Sequence, residues 1–232
     1  MNLNSFSRRA VLIGLTSAGL PGCMPPKYKA RCRLTVTAEV DGRTVTASSV
    51  REQVTSDQPS WLPTSGGVGS RIHGEGVILL LGGNRVLVAG LRGFHDGRPT
   101  TDPWPFISKL GGRSNGADNW SNGQNPAYDD IASRRSLGLI DIPASRQPMF
   151  IEFPDRRQSA GVIHDPEALA NIGTNGIRVL KATIELTRDR IFTGKPDETF
   201  PWLRDSLKAA RAGSILSDGS WDYRASDILL ER

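Results

Sequence analysis

The sequence predicts an α+β, β-dominated fold: antiparallel sheets built from hairpins, sandwich-like, with one or two helices near the C-terminus. Three observations predict it. Twenty-five glycines and 15 prolines in 232 residues supply more turns than a helical bundle uses. Two pairs of β-patterned runs flank Asp41-Gly42 and Gly82-Gly83-Asn84, the residue types that tight hairpin turns demand. Helix signals in the body of the chain fall only at 165–171 and 201–212. A hydrophobic fraction of 38% with 23% charged residues is enough for a core and excludes wholesale disorder. Two cysteines exclude a disulfide-dense scaffold and a four-thiolate zinc site.

Residues 1–22 read as a signal peptide. Arg8 and Arg9 precede an apolar run from Ala10 to Leu20, the length of a secretory signal core and too short to span a membrane. Leu20-Pro21-Gly22-Cys23 closes it and resembles a bacterial lipoprotein signal: an aliphatic residue, a variable one, a small one, then the cysteine that takes the lipid. Ser7-Arg8-Arg9-Ala10-Val11-Leu12-Ile13 is similar to a twin-arginine export signal, with Val11 and Ile13 departing from the usual Phe and Lys. The general secretory route therefore stays open. Residues 23–30 are assigned to a lipidated tether, and 31–232 to one β-rich domain with a long loop at 111–135.

Lys27, Lys29, Arg31 and Arg33 recur at every second position, so in an extended chain they share one face. Beside a lipid anchor that face suits anionic headgroups; an ordinary solvated strand edge is the plain alternative. Cys32 between them reads as a small buried apolar residue. Arg33–Val40 alternates and turns at Asp41-Gly42 into Thr44–Val50. Residues 57–70 read as a loop. Gly76–Leu81 and Arg85–Leu91 form the second hairpin, its first arm apolar on both faces and so placed between layers. Strands follow at Leu137–Ile142, Met149–Phe153 and Ile177–Thr187, the last with a phase shift between Val179 and Ala182 that marks a bulge. Asp165 caps a short helix opened by Pro166, and Pro201–Ala212 is amphipathic through Trp202, Leu203, Leu207 and Ala210.

Charge says less than its sum. The chain carries 29 Lys and Arg against 24 Asp and Glu, net +5, and removing Arg8 and Arg9 leaves +3. No aromatic-basic motif accompanies the excess, so nucleic acid is not a partner of choice. Candidate chemistry is thin. Gly112-Arg113-Ser114-Asn115-Gly116 matches a nucleophile-elbow pattern with His164 downstream, but nothing after Ser114 can start the helix an elbow needs. Asp118, Asn122 and Asp129 stand at calcium-loop spacing, although Trp120 occupies a place where an oxygen ligand is wanted. His73, His95 and His164 show no metal-ligand spacing, and no phosphate-cradling loop or dinucleotide fingerprint implies a cofactor.

Phe150–Asp155, Val162–Pro166, Arg178–Thr187 and Phe200–Leu203, with the Arg33–Val50 hairpin, resemble a group of uncharacterised proteobacterial envelope proteins, many bearing lipoprotein signals. The likeness spans most of residues 30–204 and describes packing rather than chemistry. It implies export and a single folding unit. Met24 after the cysteine implies, in such lipoproteins, the outer membrane. The expectation is a lipid-anchored, periplasm-facing envelope protein, held to the membrane through Cys23, that binds or scaffolds an envelope partner without catalysis. The alternative is a periplasmic hydrolase, or a small-ligand-binding module using the 111–135 loop.

Overall fold

A computed structural model describes residues 27–57, 68–95, 98–103, 138–211 and 229–230. Strand dominates, in two antiparallel sheets with short helices towards the C-terminus, as the sequence predicts. β1 (Lys27–Val40) and β2 (Arg43–Asp57) form the first hairpin. Asp41 and Gly42 both take positive φ, +48° and +78°, the left-handed pair that matches the twist of a two-residue hairpin. β3 (Val68–Glu75) continues the sheet, and the single residue Gly76 carries the chain into β4 (Val77–Gly82) of the second sheet. β5 (Arg85–His95) pairs with β4 and then with β6 (Arg98–Pro103). β7 (Ile140–Asp141), β8 (Pro148–Phe153), β9 (Val162–His164), β10 (Ile177–Leu186) and β11 (Leu229–Leu230) complete the strands.

The first sheet has the order β11-β3-β2-β1-β10-β7, the second β4-β5-β8-β9. β1 is thus interior, paired with β2 along its whole length and with β10 from Cys32 onwards. Only its first residues overhang, so the reading of this strand as a sheet edge is corrected over most of its length. The strand also begins at Lys27, inside the span assigned to the tether. The expected bulge in β10 is present. Val179 opposes Ala38 and Lys181 opposes Thr37, leaving Leu180 as the extra residue, half exposed. Residues 68–70, read as loop, are strand.

Alternation sorts each strand's side chains. Leu34, Val36, Ala38, Val40, Ile177, Val179, Ala182 and Ile184 from one sheet meet Val77, Leu79, Leu87, Ala89, Leu91 and Phe150 from the other. Leu169 of α1 (Pro166–Asn171) joins this layer; Asp165 caps the helix by accepting from the Glu167 amide at 2.8 Å. The far face of the second sheet packs under α2 (Lys195–Thr199) and α3 (Leu203–Arg211), through Ile78, Val88, Met149, Ile151 and Phe153 against Phe200 and Leu203. Phe153, Phe200 and Trp202 form a tilted aromatic trio with centroids 5.0–5.8 Å apart. β4 therefore lies between layers, as its two apolar faces required, although it ends its sheet. None of the helices among the described residues is long and apolar enough to cross a membrane.

Candidate functional site

A carboxylate in the middle of an apolar strand needs partners, because burying it alone is costly. Glu152 is such a group on β8, 3% exposed and facing the layer between the sheets. It collects three donors. His164 Nε2 on β9 lies 3.0 Å from Oε2, Asn175 Nδ2 lies 3.1 Å from the same oxygen, and Arg85 Nη2 lies 3.0 Å from Oε1. Arg85 Nη2 also donates to the Asn175 carbonyl at 2.9 Å, and its Nη1 lies 3.7 Å from Asp41 Oδ2. Burial pulls the Glu152 pKa upwards, but the bonds from Asn175, Arg85 and His164 and the Arg85 charge hold it below the usual carboxylate value.

Two turns bring these groups together. Asn175-Gly176 is a two-residue turn closed by reciprocal Thr174–Ile177 hydrogen bonds, with φ of +52° and +74°. It docks on the Asp41-Gly42 turn through the Asp41 amide and the Gly176 carbonyl at 2.9 Å. The positive φ favours glycine at 176, and a Cβ there would stand 2.3 Å from Asp41 Oδ1, so the Asp41 carboxylate would have to swing away. Arg85, Glu152 and His164 come from the second sheet, Asp41 and Asn175 from turns of the first. The cluster is a polar clamp closing one end of the sandwich.

His164 is thus the one catalytic candidate in the described region, and its Nε2 proton is committed to Glu152. Such a pair is the base-and-orienter half of an acyl-transfer triad. The proposed nucleophile Ser114 lies outside the described residues, as do Asp118, Asn122, Asp129, the whole 111–135 loop, Cys23, Arg8 and Arg9. Among the described residues no group of three or more His, Cys, Asp or Glu side chains is placed to hold a metal ion.

The alternating basic run divides. Arg31 Nε pairs with Glu52 at 2.8 Å, and Arg33 pairs with Glu185 at 2.6 Å and with Asp189. These arginines are spent across strands. Lys29 is exposed; Lys27 opens the strand. Cys32 is buried, and burial pushes its thiol up to about 12, which suits the inert role expected of it.

No family model, curated protein or solved structure matches the chain. Its chemistry is therefore argued from its own residues. Two buried charges were invisible in the sequence. Arg51 lies between the sheets and donates to the Ala89 carbonyl at 2.9 Å; burial pushes its guanidinium down to about 9, so it stays a cation at neutral pH. Glu75 accepts from the Thr193 amide and hydroxyl and from the Gly194 amide, at 3.0, 2.6 and 2.9 Å, fixing the entry to α2. Glu152 had one available signal, a charge inside an apolar run where the strand pattern wants an apolar side chain; Glu75 had none, since it stands out of phase with Ile72.

Proposed function

We propose that the chain is an exported lipoprotein, anchored through Cys23 in the bacterial cell envelope, whose sandwich binds or scaffolds an envelope partner without catalysis. One observation carries the reading: the signal-like segment ends at Cys23, and ordered strand begins at Lys27, with only Met24, Pro25 and Pro26 between. A lipid on Cys23 would hold the first strand at the bilayer, since four chain steps reach at most about 14 Å. The polar clusters of the described region also favour a framework role. Glu152 already accepts three donors and Glu75 another three, so these carboxylates serve to join elements.

Fractionation and intact mass of the native chain and of Cys23→Ser test the reading. Native protein should sit in membranes with its N-terminus at an acylated Cys23, and the variant should accumulate as unlipidated precursor. Equal mass and equal fractionation of the two would overturn it. Crosslinking and pull-down from envelopes then identify the partner.

A further inference from the structure

The charges of the first sheet are arranged so that one rim keeps a basic surplus. β10 runs antiparallel to β1, with Cys32 opposite Leu186 and the Thr187 amide donating to the Arg31 carbonyl at 3.0 Å. The segment after β10, Arg188-Asp189-Arg190, therefore emerges beside the start of β1. The carboxylates there are occupied: Glu52 by Arg31, Glu185 and Asp189 by Arg33, with Arg31 Nη1 also 3.5 Å from the Asp189 carbonyl. Lys29, Arg188 and Arg190 are exposed and have no ion-pair partner among the described residues.

We propose that this rim, Lys29 with Arg188 and Arg190, seats the domain on the anionic headgroups of a bilayer. The proposal rests on the lipoprotein reading for where the membrane lies, and it replaces the linear run of four basic residues by a set drawn from β1 and from the segment that follows β10. Two features select the occupant. Lys29 stands six residues after Cys23, so the chain ties the rim within at most about 22 Å of a lipid there and leaves it free to reach the surface, where exposed charges act over ~8–10 Å at moderate salt. Its surplus is positive, complementary to phosphate-bearing headgroups. The opposite end carries exposed Arg43 and Arg157 and half-buried Arg156, but β1's 14 residues set it on the order of 45 Å away. Anchored at Cys23, the molecule would stand with the clamp end outermost.

The test uses the full chain carrying Cys23→Ser, so that acylation does not dominate binding. Its partition into vesicles of phosphatidylcholine is compared with partition into vesicles of one part phosphatidylglycerol to two parts phosphatidylcholine. Arg8 and Arg9 contribute equally to every variant. Lys29→Gln with Arg188→Gln and Arg190→Gln should lower the gain from the anionic lipid roughly 100-fold, about fivefold per residue. Arg43→Gln with Arg156→Gln and Arg157→Gln should leave the gain unchanged. An unaltered urea midpoint shows that each variant folds, and Arg188→Lys with Arg190→Lys should keep the gain. A rim variant that partitions like its parent, or a clamp-end variant that loses the gain, overturns the proposal. Loss of the gain alongside an unacylated native Cys23 would sink the anchor and leave the rim standing. Acylated Cys23 with the gain intact in the rim variant would sink the rim alone.

Discussion

Replacing Glu152 with Gln keeps the side chain's shape and removes the charge that three donors share. Bonds to a charged acceptor contribute about 1.5–3 kcal/mol each. Gln retains one carbonyl oxygen, so its amide group must face a donor from Arg85, His164 or Asn175. His164 is well shielded, but Asn175 is exposed and Arg85 about a third exposed (31%), so water makes good part of their loss. The expected cost is about 3 kcal/mol. For a domain of this size, 1 kcal/mol moves the midpoint by about 2–4 °C, so the melting temperature should fall by roughly 6–12 °C. Urea titration and thermal melting at neutral pH read it. The folded Glu152 pKa is depressed, so its stabilisation is present above the unfolded value of ~4.3 and is lost as pH falls through the folded value. The gap between parent and Glu152→Gln should be full at pH 7 and close below about pH 4. A variant within ~0.5 kcal/mol of the parent at pH 7 would refute the clamp, and a gap that persists unchanged in acid would refute its electrostatic origin.

Three further outcomes are expected. Gly74→Ala places a Cβ 2.8 Å from the Val50 carbonyl oxygen at a φ of +146°, so β3 must separate from β2; denaturation should show a loss of about 3 kcal/mol, and a neutral result would contradict the strand register. Phe200→Ala removes the ring that packs on Phe153 and Trp202, costing about 3–5 kcal/mol and raising the Trp202 contribution to solvent-quenchable fluorescence; unchanged quenching would contradict the helical layer. In the Cys23→Ser chain, Cys32 should resist thiol reagents until the protein is unfolded, and rapid native labelling would contradict its burial.

Local chemistry made much of the fold legible. Asp41-Gly42 and Gly82-Gly83-Asn84 announce hairpins because few other residues accept the left-handed backbone such turns need. Asp165-Pro166 announces a helix entry because the carboxylate can accept a first-turn amide and proline's fixed φ suits the first helical position, and the broken alternation at Leu180 announces its bulge. β3 escaped because Ile72 is the one large buried apolar side chain among its residues of described burial and glycines interrupt it; ladder bonds to β2 and β11 hold it instead. α2 escaped because five residues are too few to show a period. The clamp was hardest to read. His164 drew notice alone, but Arg85, Glu152 and Asn175 converge only after two turns and two sheets are assembled. Arg31 and Arg33 looked like half of a basic surface because their neutralising acids are distant in sequence: Glu52 of β2 lies 21 residues on from Arg31, and Glu185 and Asp189 lie 152 and 156 residues on from Arg33.

The central claim concerns place: a sandwich held at an envelope membrane by its first cysteine. Intact-mass and peptide analysis of the protein isolated from membranes tests it most directly. The account predicts a chain beginning at Cys23 with acyl groups on that residue. An unmodified Cys23 within a chain still carrying residues 1–22, recovered outside the membrane fraction, would contradict it.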